Sequence, residues 1–215
     1  SNLEIQNSIL ESTGWSDGIN ISSHSSLQLF STSIKTKDNT VYLTDNSHIQ
    51  IRSNSKLVSS ERVALDINRG SGARIDSGAS IQSTGHIAIR LRENSWLKIK
   101  KSNKDNPTII NRTDAGNDIE LSDLSSISID DGNTIGTVVC TGKSFASVSE
   151  GTVGVLGEDC KWNEIFKKHI QNNADYTVAR DTPPGFGVEI INPKALNKIL
   201  NVKKRGEMSE YMTYY

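Results

Sequence analysis

Asp17 and Glu61 are the two carboxylates whose placement allows acid–base chemistry. Each stands two residues ahead of an apolar pair, Ile19/Ile21 and Val63/Leu65, in a column that also takes in Asn39 and Gly85. If the chain winds so that like positions stack, two windings hold the carboxylates roughly 9 to 10 Å apart. That is the upper edge of the gap in which an inverting glycoside hydrolase fits a water between its acid and its base. The competing assignment leaves Asp17 opening a strand and Glu61 as a solvated residue beside Arg62.

A second group has binding chemistry. Tyr42, Asp66, Arg90 and Arg92 are expected to point outward, where planar donors suit sugar hydroxyls or the carboxylate of an acidic sugar. The outward column is read as Ser22, Thr44, Asp66 and Arg90, with Asn20, Tyr42, Ala64 and Ala88 beside it. As a plain ladder contact, an Asp66–Arg90 pair contributes ~0.2 to 1 kcal/mol. Trp15, in a long loop, and Trp96, beside inward Leu97, are expected to be exposed. Exposed indoles serve either as stacking platforms for a pyranose ring or as parts of a protomer interface.

Other chemistries are excluded by spacing. His24, His48, His86 and His169 show no ligand spacing and no cysteine joins them, so no metal or other cofactor is expected. Asp114-Ala115-Gly116-Asn117-Asp118 lacks the alternating ligands of a calcium loop and reads as a plain turn. No serine sits in a Gly-x-Ser-x-Gly elbow, and no glycine-rich phosphate loop precedes a helix. A net charge of -1 with a single basic run, Lys203-Lys204-Arg205, gives no footprint for nucleic acid. No apolar run reaches the roughly 18 residues of a membrane span, so membrane insertion is not expected. The N-terminus lacks signal-peptide zones and opens on strand-like Leu3 and Ile5, so the chain reads as a fragment.

The elements that must position these residues come from a repeat. Apolar pairs recur at Leu3/Ile5, Leu27/Leu29, Ile49/Ile51, Ala73/Ile75, Leu97/Ile99 and Ile119/Leu121, every 22 to 24 residues. A second apolar marker follows at Leu10, Ile34, Leu57, Ile81 and Ile127, and a bulging loop is expected at Lys101 to Asn106. A third set closes each winding at Ile19/Ile21, Val41/Leu43, Val63/Leu65 and Ile87/Ile89. Within each run the period is two, as in a half-buried strand. Asn46-Ser47, Gly70-Ser71 and Asn94-Ser95 mark corners, where Asn and Gly tolerate left-handed backbone. Only 4 prolines and 34% hydrophobic residues agree with many short strands between polar turns. The expected fold is all-β, a right-handed parallel β-helix with three short strands per 22–24-residue coil.

Residues 1–157 form this solenoid and 158–215 a small α/β appendage. After Gly136 the repeat decays through one or two irregular closing coils. Cys140 and Cys160 stand about one coil apart, within disulfide reach if stacked, although the irregular repeat here favours two free thiols. Trp162, Ile165, Phe166 and Ile170 suggest a capping helix from about Lys161 to Gln171. A turn at Thr182-Pro183-Pro184-Gly185, a strand from Val188 to Ile191, a weak helix from Ala195 to Val202 and a tail with Tyr211, Tyr214 and Tyr215 complete the reading.

The pattern over Leu3 to Val155 resembles the pectin-lyase-like right-handed β-helix superfamily of polygalacturonases, pectate lyases, phage tailspikes and autotransporter passengers. Ser16-Asp17-Gly18-Ile19 is similar to the polygalacturonase Asn-Thr-Asp-Gly-Ile segment, which implies a catalytic Asp17. Gly85-His86-Ile87 and Lys98-Ile99-Lys100 are similar to that family's Gly-His-Gly and Arg-Ile-Lys motifs. The family's Asp-Asp pair is Asp38-Asn39 here, and the glycine after His86 is missing. The resemblance implies a tailspike-like module on a virion tail or cell surface, homotrimeric, that binds a bacterial surface polysaccharide. A polysaccharide depolymerase using Asp17 and Glu61, or a non-catalytic adhesin, are the alternatives.

Overall fold

The computed structural model describes residues 1–103, 105–113, 116–149, 151–160, 169, 171–178, 189–192, 194 and 195. Contacts divide the chain into two units, Ser1–Lys161 and Trp162–Tyr215.

Alternation builds the first unit. In Leu27-Gln28-Leu29, Ile49-Gln50-Ile51 and Leu97-Lys98-Ile99 the aliphatic residues are buried and the polar ones between them are not. Such a strand buries one face only, and parallel stacking of its equivalents supplies the rest. The first ladder is β1 (Asn2–Gln6), β4 (Ser26–Phe30), β7 (His48–Ile51), β10 (Gly72–Ile75), β13 (Trp96–Ile99), β16 (Ser126–Ile129) and β18 (Phe145–Val148). The second joins β2 (Ile9–Glu11), β5 (Ser33–Thr36), β8 (Lys56–Ser59), β11 (Ser80–Ser83) and β14 (Ile109–Arg112). The third joins β3 (Ile19–Ile21), β6 (Val41–Leu43), β9 (Leu65–Ile67), β12 (Ile89–Leu91) and β15 (Ile119–Leu121).

Every pairing in these ladders is parallel, and the sheets curl. The second and third ladders merge at β17 (Thr134–Cys140), whose first residues pair with β14 and whose last pair with β15. β19 (Val153–Leu156) continues from β17. Inward columns run Leu27, Ile49, Ala73, Leu97, Ile127 in the first ladder and Ile21, Leu43, Ile67, Leu91, Leu121 in the third. Each fully buried Leu or Ile stabilises by about 1.5–3 kcal/mol relative to exposure.

Corners obey one rule. Between the third ladder and the next first-ladder strand, two successive left-handed residues precede a serine: Ser23-His24-Ser25, Asp45-Asn46-Ser47, Arg69-Gly70-Ser71, Glu93-Asn94-Ser95, Asp123-Leu124-Ser125 and Gly142-Lys143-Ser144. The serines then form a ladder of their own. Ser47 donates its backbone N–H to the Ser71 Oγ at 3.1 Å, Ser95 to Ser125 at 3.2 Å and Ser125 to Ser144 at 3.1 Å. Buried polar groups at the corner are thereby satisfied.

The register differs from the sequence expectation in two places. The separation between paired residues is 24 from Trp96 back to Gly72, but grows to 29 from Ser80 to Ile109 and 30 from Ile89 to Ile119. It then contracts to 19 from Ser126 to Phe145. Residues inserted after Lys100 are held by Ser102, whose Oγ donates to Asn133 Oδ1 at 2.6 Å, and by an Asn103–Asn106 bridge. Ile119/Leu121 therefore stack on Ile89/Leu91 in the third ladder, while Ile127/Ile129 continue Leu97/Ile99 in the first. Val41 pairs with Leu65 rather than Val63, because one extra residue enters before β8 and one after it.

The free-thiol expectation is also corrected. Cys140 and Cys160 form a disulfide, with Cα atoms 5.2 Å apart. Cys140 continues the buried column below Leu121, and a 3-10 turn at Glu158–Cys160 folds back through Gly157 N–H to Val138 O at 2.8 Å, which brings Cys160 to it.

In the second unit β20 (Tyr176–Val178) pairs antiparallel with β21 (Glu189–Ile191). The latter meets the strand expected at Val188 to Ile191; β20, a three-residue run, left no periodic signal. His169 and Gln171 are helical, as are Lys194 and Ala195. The rest of the two expected helices, the Thr182–Gly185 turn and the terminal tyrosines lie outside the described residues.

Candidate functional site

The register sets out the outer face of the third ladder. One column holds Asn20, Tyr42, Asp66, Arg90 and Glu120. Beside it, backbone bonds from Asn68 to Leu43, Arg92 to Ile67 and Ser122 to Leu91 place Thr44, Asn68, Arg92 and Ser122 in a second column. Tyr42 and Asp66 thus share a column, and Ser22 and Thr44 belong to the other, which corrects the sequence alignment by two residues. Ala64 and Ala88 face the interior, fully buried.

Asp66 and Arg90 are neighbours, as expected, but the carboxylate is only 1% exposed. Arg90 Nη2 reaches Asp66 Oδ2 at 2.5 Å, and Arg92 Nη2 reaches the same oxygen at 3.1 Å. A buried acid pairing two cations requires this double donation, since an unpaired buried charge is costly. Both arginine side chains stay about a third exposed, although Nε of Arg92 is shielded from water. Tyr42 Oη accepts from Asn68 Nδ2 at a long 3.4 Å.

Next to Arg90 lies a cleft of about 280 Å³ lined by Asn117, Glu120, Ser122 and Thr141. Glu120 accepts from Asn117 Nδ2 at 2.9 Å. Donors on Arg90 and acceptors on Glu120 therefore face one hollow, an arrangement that matches hydroxyl groups, which both donate and accept. Sequence spacing missed Glu120 and Asn117, because the 30-residue winding hid their register. His86, Arg62 and Arg112 border the same face. Burial first, then the Arg90 guanidinium, hold the His86 pKa below its ordinary value, with Arg112 and Arg62 adding and Glu120 opposing.

Asp17 and Glu61 have different neighbours. Asp17 Oδ1 accepts from Asn39 Nδ2 at 2.9 Å, and Asn39 Oδ1 in turn accepts from Val63 N–H at 3.3 Å. The column from Asp17 therefore runs through Asn39 to Val63, not Glu61. Glu61 pairs with Lys37 Nζ at 3.3 Å rather than with Arg62. Lys37 Nζ also lies 4.0 Å from the Trp15 ring centroid, so a cation already occupies one face of that exposed indole. Glu61, Lys37 and Glu11 border a second cleft of about 240 Å³.

Trp96 stands on the first ladder. Its indole lies over Gly72, where a Cβ would come within 2.0 Å of Cε2, and its ring centroid is 5.8 Å from that of His48. The absent side chain lets the ring lie against the backbone with 39% of the residue exposed. Among the described residues no cluster of His, Cys, Asp and Glu could hold a metal ion. Asp118 is buried and accepts the backbone N–H groups of Arg112 and Thr137. No helix among the described residues is long and apolar enough to cross a membrane.

Fold and face together define a nearly all-β protein whose curled sheets of parallel strands carry a charged, hydrogen-bonding outer surface. No protein-family model matches the chain, and no curated protein or solved structure does.

Proposed function

We propose that this chain is a surface-exposed carbohydrate-recognition module, built as a right-handed parallel β-helix with three strands per coil and related in kind to the pectin-lyase-like tailspikes. Three ladders in which every third strand pairs, up to β16, support the coil reading, and parallel crossovers are right-handed in about 98% of cases. One observation carries the binding reading: buried Asp66 fixes Arg90 and Arg92 beside a hollow that also presents Glu120. Guanidinium groups locked by a buried acid are preorganised donors, so little side-chain entropy is lost when a ligand arrives. The ligand is a bacterial surface polysaccharide, met from a virion tail or a cell surface by a homotrimer.

A screen of capsular and O-antigen polysaccharides with a reducing-end readout tests this. Binding that Arg90→Gln weakens at least tenfold supports it; binding indifferent to Arg90→Gln and Arg92→Gln sinks it. A second reading, polysaccharide hydrolysis, is favoured by the cleft in which Glu61 and Glu11 stand near Lys37. New reducing ends that vanish in Asp17→Asn or Glu61→Gln would establish it.

A further inference from the structure

The charges around His86 do not balance. Arg90 and Arg92 share the single carboxylate of Asp66, and Arg62 and Arg112 act on His86 from the neighbouring windings. Three guanidinium groups, Arg62, Arg90 and Arg112, act on His86 against one carboxylate, Glu120, while the buried carboxylate of Asp118 is taken up by the backbone N–H groups of Arg112 and Thr137. Nε of Arg92, Nε of Arg112 and Nδ1 of His86 are shielded from water and have no hydrogen-bond partner within the protein. Shielded donors without acceptors are costly, and a bound oxyanion supplies acceptors to them.

Arg62 and His86 hold equivalent corner positions. The Arg62 N–H donates to Ser59 Oγ at 2.9 Å, and the His86 N–H to Ser83 Oγ at 3.1 Å. The corner therefore carries a permanent cation in one winding and a titratable group in the next. Arg112 follows at the end of β14, with its side chain against Gly116, where a Cβ would fall within 2.1 Å of Nη1.

We infer that this face takes an anionic sugar, one bearing a carboxylate or an ester sulfate, and that His86 takes up a proton from solvent when the anion binds. The inference rests on the carbohydrate reading and narrows it. Without ligand, burial first and then the surrounding cations favour neutral imidazole; an anion seated among them opposes that balance, and by linkage the protonated form binds it more tightly. The charged groups that set His86 are Arg62 from the preceding winding, Arg90 from its own, and Arg112 and Glu120 from the next. The result is recognition that strengthens as the medium acidifies.

The test is an NMR titration of the His86 ring in the full chain at constant ionic strength, with glucose, sodium glucuronate and glucose 6-sulfate as probes. Glucuronate or the sulfate ester should raise the His86 midpoint by about half a pH unit, equivalent to roughly threefold tighter binding to the protonated form. Which anion acts identifies the group recognised. Glucose should leave the midpoint in place, and His86→Gln should remove the strengthening of anion binding on acidification, so that its affinity at low pH falls below that of the unaltered chain. If all three sugars perturb Tyr42 and Arg90 alike with no change in midpoint, the anion inference is overturned and the carbohydrate reading stands. If none perturbs Tyr42 or Arg90, both fall.

Discussion

Arg90 Nη2 lies 2.5 Å from the Oδ2 of Asp66, a carboxylate only 1% exposed that Arg92 pairs with as well. The contact joins β9 to β12 across one winding, so what positions the candidate site also ties adjacent strands.

Asp66→Asn should therefore disturb both stability and binding. The variant leaves two guanidinium groups without their anion and puts an amide where a charged acceptor stood. A loss of about 2 kcal/mol, the scale of hydrogen bonds to charged groups, is expected in urea denaturation. An unchanged midpoint would mean that Asp66 contributes nothing beyond its volume.

Gly72→Ala separates the Trp96 platform from the fold. Gly72 has no left-handed backbone requirement, so the methyl group acts only by displacing the indole above it. Tryptophan emission should shift to the red while stability changes by less than about 1 kcal/mol. If emission stays put, the ring does not rest on Gly72.

His86 makes stability depend on pH in a defined direction. Its folded pKa lies below the ordinary 6.5, so below that pH the unfolded chain binds more protons. Stability is full above about pH 6.5 and falls as the medium acidifies, until the folded group itself titrates. His86→Gln should flatten that part of the profile; a denaturation series across this range decides.

Leu124 occupies the left-handed corner position that Asn46, Gly70 and Asn94 fill in other windings, at φ 67°. A branched aliphatic residue is unfavourable there. Leu124→Asn should raise stability by up to about 1 kcal/mol, read as a higher denaturation midpoint.

Cys140→Ser together with Cys160→Ser opens a loop spanning 20 residues. A loss near 3 kcal/mol is expected, and the same loss should follow reduction of the unaltered chain. Equal midpoints with and without reductant would refute the bond's contribution.

The parallel strands were legible wherever the windings had similar length. Leu27, Ile49, Ala73 and Leu97 fell into line because 22 to 24 residues separate them and period two marks their strands. The signal failed at Ile119, since an apolar pair looks alike in any ladder and only its partner reveals which one it joins. Corner serines were visible at Ser47, Ser71 and Ser95, but that Ser47 and Ser71 each accept the N–H from the winding before, while Ser95 donates its own to Ser125 of the next, needed coordinates. For the candidate site, Asp66 and Arg90 were legible as neighbours, while the burial of Asp66 was not. Sequence spacing also missed that Arg92, two residues further on, pairs with the same acid.

The winding that begins at Leu97 takes in 30 residues, yet Leu97 and Ile99 meet Ile127 and Ile129 without slippage. Length is thus decoupled from register at the corner after Lys100. Foreign peptide spliced between Asn103 and Asn106, residues exposed at that corner, would leave the aliphatic columns untouched. This makes the protein a scaffold on which antigenic or ligand-capturing loops can be grafted one winding at a time.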